Sequence, residues 1–201
     1  MKQMIIAVLI LGYFFWPSCH NLEMVPPTEN PLTCEDTIEI PHPGKMEHGF
    51  LKAIKTCRDW KASGAARLYS TLPNHMSISG NTYSAYVLTN GDTSFLYAEN
   101  ISFYVPKKVG KFPLFSTSKF LQDSAYCIFE NIDIDVATAR WSVDVSAPDN
   151  NVEITELDLI NKKVKGRFNV HLNIDFSVSG AVHFPSKLYF SDGEFDLEIV
   201  N

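Results

Sequence analysis

The chain lacks the short motifs that usually announce chemistry. It has no Cys-x-x-Cys pair, no His-x-x-x-His or His-x-His array and no glycine-rich phosphate loop, and neither Ser63-Gly64 nor Ser191-Asp192-Gly193 forms a nucleophile elbow. Zinc sites, nucleotide sites and serine hydrolases each need one of these, because their ligands or nucleophiles must converge from fixed spacings. The expectation is therefore no enzyme, no cofactor, no metal and no catalytic residue. Positive charge is also scarce, with 17 Lys and Arg against 23 Asp and Glu and a net charge of −6. Binding phosphate backbones takes a clustered basic surface, which excludes nucleic acid as a partner. The notable basic knot, Lys107, Lys108 and Lys111, reads as a solvated turn between strands, where lysines discourage edge pairing. Finally, no apolar run reaches the roughly 20 residues of a membrane-spanning helix.

What the chain does have at its start is an export signal. Lys2 precedes the apolar stretch Met4 to Trp16, which closes on Pro17-Ser18 and then Cys19. A basic start, a short apolar middle and a small residue before the cut define a cleaved leader over residues 1–18. A cysteine directly behind the cut resembles the bacterial lipoprotein signal, so Cys19 is the expected lipid attachment and the membrane an expected partner. Trp16 and Pro17 depart from the usual Leu and small residue of that signal, which keeps plain secretion as an alternative. The corresponding location is the outer membrane, facing the periplasm or the cell surface. With Cys19 acylated, Cys34, Cys57 and Cys127 remain, enough for one bridge. A Cys57–Cys127 disulfide and a pair of buried free thiols are both compatible with their strand and turn contexts.

Residues 19–46 are rich in proline and polar residues, with no apolar period long enough to close a core, and read as an extended tether. From residue 47 to 201 the text changes to short runs of Ile, Val, Phe, Tyr and Thr punctuated by Gly, Asn, Asp and Pro. These predict about ten strands: 50–56, 65–70, 76–79, 83–89, 94–105, 125–130, 140–145, 152–160, 165–173 and 193–199. Asn90-Gly91 and Asn161-Lys162-Lys163 predict hairpins, and a phase change at Glu156-Leu157 predicts a bulge. Phe168, Val170 and Leu172 alternate with polar residues, as do Phe195, Leu197 and Ile199, so each strand has one buried face. The fold class is all-β, an antiparallel β-sandwich or flattened β-barrel. Ser116 to Asp123 is the one stretch that suggests a turn or two of helix.

Several segments in order carry a resemblance. Phe50-Leu51-Lys52-Ala53, Trp60-Lys61-Ala62, Gly110-Lys111-Phe112-Pro113-Leu114, Val152 to Asp158, Val164 to Phe168 and Ser191 to Leu197 together resemble a family of uncharacterised Bacteroidetes lipoproteins. Those proteins share Trp-x-Ala, Ile-Thr-x-x-Asp, Gly-x-Phe and Gly-x-Phe-Asp-Val-like segments. Here Arg58-Asp59 stands where an Asn-Gly turn is usual and Phe112 replaces Tyr. The resemblance implies an exported β-domain and supplies no catalytic residue. In Gly166-Arg167-Phe168 and Gly193-Glu194-Phe195, a glycine lets the backbone bend or an aromatic neighbour lie over it, with Phe168 and Phe195 plugging the core.

Candidate sites remain. Asp133 and Asp135 could share a strand face near Asp123, Glu130, Asp144 and Asp149, but calcium needs six to eight oxygens in a recognisable loop, and a solvated face is the simpler reading. A glycosidase-like carboxylate pair is simpler still as an accident of an acidic domain. Among the aromatics, Trp60, Tyr69, Tyr83, Tyr86, Tyr97, Tyr104, Tyr126 and Trp141, a row of exposed rings would suit a glycan or envelope protein, and Tyr83 and Tyr86 are the first place to look. The leading expectation is a lipid-anchored, non-enzymatic binding or structural domain. The alternative is a barrel that carries a small apolar ligand or a glycan.

Overall fold

The computed structural model describes residues 43–87, 93–116, 124–133, 136–178 and 184–200. Strands account for the regular structure of these residues, in the order β1 (Gly49–Lys55), β2 (Arg58–Leu68), β3 (His75–Val87), β4 (Thr93–Pro106), β5 (Gly110–Phe115), β6 (Ala125–Asp133), β7 (Val136–Val143), β8 (Asn151–Asp158), β9 (Lys163–Ser177) and β10 (Lys187–Val200). The all-β expectation holds. The helical turns considered for 116–123 fall almost entirely outside the described residues.

The ten strands form one sheet that closes on itself. Antiparallel ladders run from β1 through β2, β3, β4, β6, β7, β9 and β10 back to β1. Between β6 and β9 the wall is shared: β7 fills the gap at one end, and β5 with β8 fills it at the other. The sheet is mixed and not purely antiparallel as anticipated. Ile199 and Val200 of β10 run parallel to Ala66 and Arg67 of β2, and Leu114 and Phe115 of β5 run parallel to Ala125 and Tyr126 of β6. The first contact joins the two neighbours of β1 beyond its start, and the second lets β5 take up β6 beyond its ladder with β7, so that fewer edges stay unpaired.

The alternation read from the sequence is the alternation of the wall. Phe168, Val170 and Leu172, and Phe195, Leu197 and Ile199, all point into a single core. The two signature glycines lie within strands and serve a reciprocal arrangement. Gly166 faces Phe195 across the ladder and Gly193 faces Phe168, and each ring covers its glycine so closely that a Cβ would sit 2.2 Å from Phe195 Cζ or 2.6 Å from the Phe168 ring. The bulge expected near Glu156 is present, since Ile154 pairs with Gly166 while Glu156 pairs with Lys165 and Thr155 is the extra residue.

Strand boundaries moved where two short runs form one long strand. The runs at 76–79 and 83–89 both fall in β3 as far as Val87, and β3 keeps its phase between them; the bulge at this point is on β4, where Ala98 is the extra residue because Thr82 pairs with Glu99 and Tyr83 with Tyr97. β5 was not anticipated as a strand, because Pro113 in its middle argues against a central position; it sits where only Gly110, Lys111, Phe112 and Pro113 meet β8. The first hairpin turns at Thr56-Cys57, both at positive φ (44° and 72°), two residues before the place the resemblance suggested. A β-branched residue is uncommon there. Thr56 is held by β10, donating its N–H to the Tyr189 carbonyl at 2.7 Å and accepting the Tyr189 N–H on its Oγ1 at 3.3 Å.

Candidate functional site

Cys19 and the leader expected over residues 1–18 lie outside the described residues, as does most of the 19–46 stretch expected to be a tether. Its last part, Pro43 to Met46, rests on the barrel: the Pro43 carbonyl accepts the Ser63 N–H at 3.1 Å, and Gly44 lies against the Tyr83 ring. The Cys57–Cys127 bridge does not form. Cys57 is disulfide-bonded to a partner outside the described residues, whereas Cys127 is a free, buried thiol. The two face different environments, Cys57 at an exposed turn tip and Cys127 inward from β6. Burial pushes the Cys127 thiol well above its ordinary pKa, so it behaves as a small apolar filler.

The acidic candidates do not converge. Asp133 ends β6 and pairs with Val136 of β7, so it stands at the end of a strand and not in mid-strand; Asp135 lies outside the described residues. Asp144 is used locally. Its carboxylate accepts Ser146 Oγ at 2.5 Å and Ser146 N–H at 3.0 Å, and the Ser146 hydroxyl above all holds its pKa down. Asn150 ties the same loop to β9, donating to the Asp144 carbonyl at 2.5 Å and accepting the His171 N–H at 2.6 Å. No group of three or more His, Cys, Asp and Glu among the described residues is placed to hold a metal.

The interior holds a polar cluster that the sequence did not disclose. Glu99 of β4 is 3% exposed. Its Oε2 accepts Trp60 Nε1–H at 2.8 Å and the Thr82 hydroxyl at 3.3 Å, and its Oε1 is in direct contact with Lys55 Nζ. Lys55 Nζ also lies 4.7 Å from the centre of the Phe129 ring. Trp60 and Phe129 both pack on Phe190, at 5.3 Å each, and Phe129 packs on Trp141. The carboxylate is thus paired and hydrogen-bonded within a cage of rings. Lys55 follows Leu51 and Ala53 at the strand period, which was the available signal that its side chain starts inward.

The aromatics divide by face. Trp60 and Trp141 are core residues. Tyr83 is half-buried against Gly44, and the side chain of Tyr86 lies outside the described residues. The outward row is elsewhere: Tyr69, Tyr104 and Tyr126 stack in sequence, with centroids 6.2 and 4.5 Å apart and planes within 15°. Burial first, then its tyrosine neighbours, pushes the Tyr126 phenol up to about 12, and burial followed by Tyr69 raises Tyr104. On the same outer face of β3 and β4, Asn100 Nδ2 donates to Asn81 Oδ1 at 2.8 Å, Ser102 Oγ donates to Asn100 Oδ1 at 2.9 Å, and the hydroxyls of Ser102 and Ser79 lie 3.1 Å apart. Asn100, Ser102 and Tyr104 alternate outward along β4, so amides, hydroxyls and rings form one continuous surface. Sequence reasoning named Tyr69, Tyr104 and Tyr126 as candidates, but their stacking depends on bringing a loop after β2 beside β4 and β6.

A shallow depression of about 550 Å³ on the opposite wall is lined by Lys52, Ile54, Asp59, Lys61, Asp192 and Glu194. Lys52 and Glu194 pair across it at 2.9 Å, leaving no single sign of charge to select a ligand. Set against protein families, curated proteins and solved structures, this chain matches none.

Proposed function

We propose that this chain is a bacterial envelope lipoprotein, anchored at the outer membrane through Cys19, whose β-domain is a non-enzymatic binding module for an envelope glycan. The observation that carries the reading is the outward surface of Asn81, Asn100, Ser102, Tyr104, Tyr126 and Tyr69. Sugars present apolar faces rimmed by hydroxyls, and flat rings with polar tips beside amides are the side chains that meet both. The alternative, a barrel enclosing a small apolar ligand, is the weaker reading. Phe103, Phe129, Phe168, Phe190 and Trp141 are each at most 1% exposed and occupy the interior that such a ligand would need.

Affinity electrophoresis through gels containing envelope polysaccharide tests the binding face. The wild type is expected to be retarded and the Tyr104→Ala/Tyr126→Ala variant to run freely; equal mobility of the two, or no retardation of either, rejects the face. Labelled palmitate tests the anchor separately, with incorporation expected in the wild type and absent in Cys19→Ala.

A further inference from the structure

One end of the barrel gathers three loops of unusual composition. The turn after β4 carries Lys107, Lys108 and Val109, the hairpin after β8 carries Leu159, Ile160, Lys162 and Lys163, and the loop after β2 carries Leu72. The ladders place them together. Gly110 faces Ile154, and β8 continues from there to Asp158, so the β8–β9 hairpin projects past the β4–β5 turn. That turn is joined to the loop after β2 by the Lys107 N–H, which donates to the Asn74 carbonyl at 2.8 Å.

Exposed aliphatics and lysines alternate at these tips. Ile160 is 92% exposed, Val109 60%, Leu159 49% and Leu72 39%. The acid within the hairpin stays open to solvent but is engaged locally: the Asp158 carboxylate accepts the N–H groups of Ile160 and Asn161 at 2.9 and 2.8 Å and the Asn161 amide at 2.6 Å. Behind the tips, Glu156 pairs with Lys165 at 3.1 Å. Four lysines and four exposed aliphatic side chains thus meet at one end of an acidic protein, with Glu198 standing across the ladder from Lys163. Aliphatic tips ringed by lysines match the boundary of an anionic bilayer, where acyl chains take the apolar groups and headgroup phosphates take the ammonium groups.

We propose that this end of the barrel docks directly on anionic phospholipid, so that the domain lies against the bilayer. The docking surface adjoins the glycan face, since Tyr69 and Leu72 share the loop after β2, but none of the residues changed below belongs to that face, and Cys19→Ser removes acylation from the test. The mature full chain carrying Cys19→Ser is sedimented with vesicles of phosphatidylethanolamine containing phosphatidylglycerol, and with vesicles of phosphatidylcholine alone. The chain is expected to partition onto the anionic vesicles only, and to come off as salt rises. Each lysine near such a surface contributes roughly fivefold, so Lys107→Gln/Lys108→Gln/Lys162→Gln/Lys163→Gln is expected to weaken binding by a hundredfold or more, on the order of the summed effect. Ile160→Ser removes an apolar tip and is expected to cost roughly tenfold. Both variants change exposed turns, and an unaltered thermal midpoint confirms their folding. Failure of the parent to bind anionic vesicles, equal binding to phosphatidylcholine, or full binding by the lysine variant overturns the proposal.

Discussion

The two halves of the barrel interior are held by different physics. Around Gly166 and Gly193 the core is wholly apolar, and its specificity comes from shape, with Phe195 and Phe168 each covering a glycine on the neighbouring strand. Around Glu99 the core contains an ion pair, and its specificity comes from hydrogen bonds that admit one arrangement of Lys55, Trp60 and Thr82. The apolar half tolerates a vacancy at the cost of a cavity. The polar half does not, because a charge left without its partner stays out of water.

The largest effect is expected from Glu99→Ala, which strands Lys55 and the Trp60 N–H; loss of roughly 3 to 5 kcal/mol in denaturant unfolding is expected. Replacing the pair together, as Glu99→Leu with Lys55→Met, is expected to recover most of that loss, since apolar replacement of a buried pair is often neutral or favourable. A double variant as unstable as Glu99→Ala would show that the pair contributes net stability.

In the apolar half, Phe195→Ala is expected to cost about 3 to 5 kcal/mol, read as a lower thermal midpoint. Gly166→Ala sharpens the comparison from the other side. Its Cβ would lie 2.0 Å from the Glu153 carbonyl as well as against Phe195, so overpacking of about 1 to 3 kcal/mol is expected. If Gly166→Ala with Phe195→Leu is more stable than Gly166→Ala alone, the ring accounts for part of the clash; no recovery assigns it to the backbone.

Two smaller effects concern single groups. Cys127 is expected to resist thiol reagents in the folded chain and to react only on unfolding, while Cys57 reacts only after reduction. Reaction of native Cys127 would place it outside the core. Tyr126 titrates near 10.0 when unfolded and about 12 when folded. A raised folded value means that its contribution is intact below pH 10.0 and is lost as the pH rises through about 12. Tyr126→Phe is expected to remove the latest step of the tyrosinate absorbance titration; an unchanged last step would refute the stacking.

Much of the wall was legible because one buried face per strand imposes a period of two. That period identified Phe168, Val170, Leu172, Phe195, Leu197 and Ile199, and its slip at Glu156-Leu157 pointed to the bulge, whose extra residue is Thr155. It misled where small and polar residues, Gly80, Asn81 and Thr82, interrupt a long strand, as in β3, and where proline interrupts a short one, as in β5. The site was less legible. Tyr104 and Tyr126 are directly opposed, yet nothing local in either strand specifies the partner, and Glu99 reads as an ordinary polar residue until Trp60, Thr82 and Lys55 converge on it from three other strands.

By itself the sequence determined the strand class and the inward residues, because these depend on local period and composition. Only the tertiary structure decided ring closure, the fate of Cys57 and Cys127, the buried Glu99 cluster and the outward tyrosine row. Each of these depends on register between strands far apart in the chain, and a one-residue change of register would send every one of those side chains to the opposite face.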